Sequence, residues 1–328
     1  MVTQRKPNGK SSPTEIQYEA LAFGACVADR PAGILRYTGE DALDLLNRLS
    51  TNYLIDLEVG SGAETALISN KGRIIDLLFV LKLSDHLLIF TSVGNETRVR
   101  EWIEFYTIVE AANGEDITGQ TATVSLVGPH SAEKLSILGN ESVTGLRNGR
   151  SLEINIEGSK AKVVRRDIGA TEAFDIVSSY SEGAAVRSVL TRACSVYAEP
   201  EAFELFRIKQ GVPIGGAELT ESYNPLEAGL KHLINYTKGC YVGQEVIARL
   251  TSYDKVQKHL VRLKWDTGTS IRPGAKLMEA DKQVGIVTSA IRDPRLLTGH
   301  GLGYVRKQHS FAGTILVSES GDHIEVTA

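Results

Sequence analysis

The segment Lys238-Gly239-Cys240-Tyr241-Val242-Gly243-Gln244-Glu245 gathers the residue types of this chain best suited to chemistry. Glycines at 239 and 243 free the backbone to take positive φ and to approach another group closely on either side of the cysteine, so the thiol is presented on a tight loop. Glu245-Val246-Ile247-Ala248-Arg249-Leu250 reads as the first turns of a helix, whose N-terminal partial charge favours a thiolate. The Lys238 ammonium adds to that effect if it lies nearby. Cys240 is therefore a candidate catalytic thiol. The same spacing also suits a small buried residue packing a turn, since free cysteine is among the most buried residue types. Cys26 and Cys194 stand among aliphatic residues and read as inert core.

Three cysteines, an odd number without a C-x-x-C pair, write neither a disulfide framework nor a zinc site, and free thiols suit a reducing compartment. The seven histidines form no ligand pair at helical spacing. There is no Walker A loop, no G-x-G-x-x-G after a strand, no G-x-S-x-G elbow and no H-E-x-x-H. A formal net charge of -4 attracts neither nucleic acid nor an anionic membrane surface, and no apolar run approaches the roughly 18 residues of a membrane helix. The expectation is a soluble protein with no nucleic-acid or membrane partner, cytoplasmic, or in the mitochondrial matrix if the source is eukaryotic. Met1 to Thr14 reads as a disordered start rather than a secretory signal, with a short organelle transit peptide as the other reading, and the N-x-S/T triplets at Asn95, Asn140 and Asn235 read as chance matches.

The elements that must position the loop follow from apolar spacing in a chain that is 42% hydrophobic and 23% charged. Ala42, Leu45, Leu46 and Leu49 predict a helix between Gly39 and Thr51. Thr65 to Ser69, Arg73 to Leu83 and His86 to Ser92 predict antiparallel strands joined by tight turns, and Asn95 to Tyr106 a helix. A second unit of similar grammar has strands at Ala122 to Val127, Ala161 to Arg165 and Ala173 to Ser178, with helices at Ser131 to Leu138, Gly183 to Thr191 and Pro200 to Gln210. Short β segments follow at Leu260 to Trp265, Gln283 to Ser289, Gly301 to Val305, Thr314 to Ser318 and His323 to Thr327, predicting a small antiparallel barrel. The fold class is α+β. The division is a core over 15–250, in two subdomains of approximately 15–117 and 118–250, and a C-terminal β-barrel domain over 256–328.

The octet 238–245 resembles the cysteine signature of the YgfZ-type folate-binding proteins and their mitochondrial iron–sulfur assembly relatives, homologous to the aminomethyltransferase T-protein of glycine cleavage. Arg207-Ile208-x-x-Gly211-x-Pro213, Asn224-Pro225-Leu226-Glu227-Ala228-Gly229-Leu230, Val284-Gly285-Ile286-Val287-Thr288-Ser289 and Gly72-Arg73-Ile74-Ile75-Asp76 extend the resemblance, in order, over nearly the whole chain. It implies a three-subdomain cloverleaf around a central channel holding tetrahydrofolate or a one-carbon-substituted derivative. Glu227 is then placed in the folate-contacting region, where one carboxylate accepts the adjacent N–H donors of a pterin. The other reading of Glu227 is a solvated charge on a helix starting at Pro225. Tyr241 and Gln244 of the octet join the cofactor-binding set. Arg207, Lys231, His232, Lys238 and Arg249 suit the folate glutamate tail, or are surface charges.

The pattern breaks at Leu77, which stands where the T-protein segment carries the second of two aspartates, the catalytic one. Leucine neither accepts a proton nor stabilises positive charge on a folate nitrogen, and a one-residue strand shift would turn Asp76 to the opposite face, so Asp76 reads as structural. Arg166-Asp167-Ile168-Gly169-Ala170-Thr171-Glu172 also departs from the transferase's G-Y-T-G-E. The resemblance therefore implies a tetrahydrofolate-binding accessory protein for iron–sulfur cluster assembly or repair, with iron–sulfur client or assembly proteins as partners. The alternatives are a folate-dependent aminomethyltransferase or demethylase, and a non-catalytic folate scaffold.

Overall fold

The computed structural model describes residues 12–139, 141–266, 268 and 270–327. The disordered start expected for Met1 to Thr14 lies outside the described residues up to residue 11, as does Asn140. Pro13 and Thr14 open a helix instead, α1 (Pro13–Phe23), capped by Ser12, whose Oγ accepts from the Glu15 N–H at 3.2 Å. The chain continues with β1 (Cys26–Ala28), β2 (Gly33–Thr38), α2 (Ala42–Leu49), β3 (Gly62–Ile68), β4 (Ile74–Lys82), β5 (Leu87–Thr91), α3 (Glu96–Phe105) and β6 (Asn113–Asp116). Next come β7 (Thr121–Val127), α4 (Ser131–Gly139), β8 (Ser151–Ile156), β9 (Ser159–Arg165), β10 (Ala173–Ser179), α5 (Tyr180–Cys194), β11 (Tyr197–Ala198), α6 (Pro200–Gln210) and α7 (Gln244–Ser252). The last stretch is all strand: β12 (Lys258–Asp266), β13 (Lys276–Glu279), β14 (Lys282–Asp293), β15 (Thr298–Arg306), β16 (Ile315–Ser318) and β17 (His323–Thr327).

These strands make two open sheets and one closed barrel. The first sheet runs β3-β4-β5-β2-β6 and is antiparallel throughout. One of its faces buries Leu35, Leu67, Leu78 and Val80 against Leu45, Leu46 and Leu49 of α2 and Val99 and Ile103 of α3. The second sheet runs β11-β1-β7-β10-β9-β8, with its outer face under α4 and α5 and a further cluster formed with Leu21 of α1 and Phe206 of α6. Chain order and sheet order therefore differ, because α1 and β1 pack in the second sheet although they precede the first. Phe79, Leu81 and Phe90 of the first sheet meet Val164 and Val177 of the second, so the inner faces of the two sheets stack.

The barrel closes in the order β12-β15-β14-β13-β16-β17. It is joined to the core by a buried polar seam rather than by hydrocarbon alone. A bulge in β14 between Val287 and Ser289 inserts Thr288, so two consecutive hydroxyls reach one carboxylate: Thr288 Oγ1 and Ser289 Oγ donate to Glu218 Oε1 at 2.6 and 2.7 Å. Tyr304 donates to the Glu218 carbonyl at 3.0 Å, and Lys209 of α6 pairs with Asp293. Residues 224–229 form turns, not the helix considered from Pro225.

Candidate functional site

Where the two inner sheet faces and the barrel converge, a cavity of about 1140 Å³ opens. Its walls come from all three bodies: Leu77 and Phe79 of β4, Phe90 and Thr91 of β5, Arg166 to Gly169 after β9, Leu230 and Leu233 of the connecting loop, and Leu260 and Leu302 of the barrel. Large apolar walls with a few polar groups are the make-up of a small-molecule site.

The lining of β4 is set by one bulge. Ile68 pairs with Ile74 but Leu67 with Asp76, which leaves Ile75 extra and fixes the faces of everything after it. Leu77 and Phe79 line the cavity as a result, whereas Asp76 is 1% exposed and outside the lining. Asp76 Oδ1 accepts from Ser92 Oγ at 2.5 Å and the Leu77 N–H at 2.9 Å, and Oδ2 from the Ser92 N–H at 2.9 Å. Burial pushes its carboxyl pKa up, with these hydrogen bonds opposing. Its work is to hold the β5 terminus.

The site residues expected from sequence separate into two groups, and two of them stand in the cavity wall, the exposed His232 and the buried Arg207. All five of its N–H donors are engaged: Nε and Nη2 by the two Glu204 oxygens, Nη1 by the Val212 carbonyl at 3.1 Å and Glu218 at 3.3 Å, and Nη2 also by Ser289 Oγ at 2.7 Å. It braces the barrel seam and keeps no donor for a folate tail. Glu227 lies outside the lining, just before Ala228 to Leu230, which are part of it. Its carboxylate accepts from the Asn224 N–H at 3.1 Å while Asn224 Oδ1 accepts from the Glu227 N–H at 3.0 Å, a reciprocal cap, and Arg73 stands 3.5 Å away.

The octet residues sit together on another face, against α2 and the β3–β4 turn. Lys238 is buried, and its Nζ donates to the carbonyls of Asn47, Ser50 and Asn52 at 2.6, 2.7 and 2.5 Å, the end of α2 and the residues after it. Burial pushes this ammonium down to about 8. It anchors the loop to a helix C-terminus instead of facing the thiol or the cavity. Tyr241 is core, packed with Ile68, Ile234 and Ile247, with Lys238 Nζ 5.0 Å from its ring centroid. Gly243 takes φ +79° at the N-terminus of α7, where any Cβ would lie 2.5 Å from the Ser69 carbonyl oxygen. Gln244 begins that helix and Arg249 is exposed on its surface. Cys240 is exposed and outside the cavity lining. Exposure removes the buried-packing reading of this residue; Cys26, by contrast, is buried with its thiol pushed up to about 12.

Sequence reasoning missed the charged corner of the cavity. Arg30 and Arg166 line it, and both approach the buried Asp175 Oδ2, Arg166 Nη1 at 2.8 Å and Arg30 Nη1 at 3.6 Å, while Ser125 Oγ donates to Oδ1 at 2.6 Å. The signal was present, since Arg166 opens the segment that departs from the transferase motif. Among the described residues, no group of three or more His, Cys, Asp or Glu side chains is placed to hold a metal ion, and no helix is long and apolar enough to cross a membrane.

Residues 28–238 match the family described as the GCVT N-terminal domain, and residues 258–328 match the glycine cleavage T-protein C-terminal barrel domain. The Arabidopsis thaliana protein named "Putative transferase At1g60990, chloroplastic" is 30% identical over 304 residues, covering 92% of this chain and 70% of that protein. An aminomethyltransferase of Halalkalibacterium halodurans is 25% identical over 308 residues, covering 92% of this chain and 84% of its own length. The crystal structure of glycine cleavage system aminomethyltransferase T from Bartonella henselae superposes with a TM-score of 0.85 over 96% of this chain and 88% of that one, at 19% identity, which is the same fold.

Proposed function

This chain belongs to the glycine-cleavage T-protein family, with both its N-terminal domain and its C-terminal barrel, and on that premise we propose that it is a tetrahydrofolate-binding accessory protein of the YgfZ type, serving iron–sulfur cluster assembly or repair through Cys240. The observation that carries this reading is Leu77 in the cavity wall. The chamber persists while the side chain at the transferase's proton-handling position is hydrocarbon, and the neighbouring Asp76 is committed to Ser92 on the other face of the strand.

The cavity suits the cofactor. At about 1140 Å³ it exceeds the roughly 300–1,000 Å³ of ordinary ligand pockets. Phe79, Phe90, Leu230 and Leu302 offer apolar faces to a flat ring, and Arg166 has a buried N–H with no partner among the described residues. Cys240 belongs to a different surface, so in this reading it works on a second protein docked there and not on the bound folate. One cysteine cannot hold a cluster, and any metal contact is shared with that partner.

Calorimetric titration with tetrahydrofolate tests the binding half, and no uptake of any reduced folate rejects it. Cys240→Ala is expected to leave stability within about 0.5 kcal/mol, as exposed substitutions do, and folate affinity unchanged, while abolishing complementation of iron–sulfur enzyme maturation in cells. Retained complementation rejects the role of the thiol.

A second reading, folate-dependent aminomethyl transfer or demethylation, has Glu64 in its favour. This carboxylate lines the cavity and makes no side-chain hydrogen bond among the described residues. Folate-dependent turnover lost in Glu64→Gln would favour that reading over the accessory one.

A further inference from the structure

Arg166 is placed as few arginines are. Its guanidinium lies 4.8 Å from the ring centroids of both Phe79 and Phe90, Nη1 is bound to Asp175, and Nε–H is buried without a hydrogen-bond partner among the described residues. Arg30 comes alongside, donating to the Arg166 carbonyl at 2.8 Å and approaching the same Asp175 oxygen. Two guanidiniums thus share one carboxylate that is itself 0% exposed and already bound by Ser125. Burial first and Arg30 second push the Arg166 pKa down. The opposing charge on the cavity side is Glu64, which attracts Arg166 through space but makes no hydrogen bond to it.

A buried guanidinium N–H is costly to leave unmatched, so the site favours a guest that accepts from it. Arginine presents its donors in a fork that fits a planar carboxylate in two parallel bonds. We infer that the Arg30–Arg166 corner is a carboxylate-binding subsite of the cavity. The inference rests on the folate reading for the nature of the guest, and deepens it by naming the group held at this corner. The carboxylate comes from the glutamyl end of the folate or from a separate small acid in the chamber. Phe79 and Phe90 supply the flat walls, Asp175 fixes Arg166 in place, and Glu64 limits how tightly an anion is held.

The test uses N-(4-aminobenzoyl)glutamate, glutarate and 6-methyltetrahydropterin, each titrated alone into the full-length protein. Saturable binding of either acid is expected, weakened about tenfold or more in Arg30→Met and tightened in Glu64→Gln, with affinity for the carboxylate-free pterin unchanged by Arg30→Met. Arg30 is the residue to remove because Asp175 then keeps Arg166 as its partner and the fold is retained; circular dichroism of the variant checks this. Preference for the benzoyl compound identifies the folate tail, and equal affinity for glutarate a separate acid; either supports the subsite. Failure of both acids to bind, or binding indifferent to Arg30→Met, overturns the inference whatever the pterin does. Failure of the pterin alone counts against the folate reading and leaves the subsite standing.

Discussion

Lys238 shows what the cysteine loop requires of its neighbours. Three carbonyls converge on one ammonium, so Lys238→Met leaves three buried acceptors without a donor, and we expect a loss of about 2–4 kcal/mol in urea denaturation. The pH dependence has a definite sign. The folded-state pKa of about 8 lies below the ordinary 10.5, so the folded form carries the full cost of the buried charge below pH 8. That cost is relieved as pH rises from 8 through 10.5, where the unfolded chain binds more protons than the folded one. The stability of wild type relative to Lys238→Met should therefore grow across that window, by up to roughly 3 kcal/mol. A flat difference between pH 7 and 10.5 would show that the ammonium stays charged throughout. The sequence made the lysine conspicuous but misdirected it, because the carbonyls it serves lie nearly two hundred positions earlier and converge only through packing.

Single inserted residues and single glycines settle which way the elements face. The Ile75 bulge sends Leu77 into the chamber, and the Thr288 bulge turns two hydroxyls onto Glu218. Gly243→Ala is a sharp test of the α7 junction, since a Cβ meets the Ser69 carbonyl at a φ that L-residues disfavour. We expect about 2 kcal/mol or more of destabilisation, together with faster alkylation of Cys240 as its loop loosens; unchanged stability would mean that the turn relaxes freely. Elements with a strong apolar period were legible: α2, α3, β4 and β5, and the alternation of the barrel strands. Among the elements missed, β8 alternates plainly at Leu152, Ile154 and Ile156 and β2 buries Ile34, Leu35 and Tyr37, whereas α1, β1, β6 and β11 had little pattern to read. Only Leu21 of α1 is fully buried, β1 and β11 are three and two residues long, and β6 is Asn-Gly-Glu-Asp, a turn composition held as a strand by pairing with β2.

At the scale of the whole chain, the barrel seam is the joint most exposed to mutation. Glu218→Ala removes one acceptor from Arg207, Thr288, Ser289 and the Ile214 N–H together, and breaking so buried a pair should cost about 3–5 kcal/mol. Thermal melting and limited proteolysis in the 252–258 connection are the measurements; an unchanged melting temperature with no new cleavage would mean the barrel is held by apolar contact alone. The family and the general plan could be read from ordered motifs spread along the chain. The position of the chemistry could not, because motifs that lie close in order, such as 224–230 and 238–245, fold to different surfaces.

Because the chamber is walled by three separately folded layers, none can shelter a guest alone, and a molecule lodged there is gripped from three sides. It would behave as a keystone. A guest in contact with all three ties them together, so breathing at the Glu218 seam should be damped when the chamber is filled. A loaded molecule should then melt in one step at a higher temperature than the empty one.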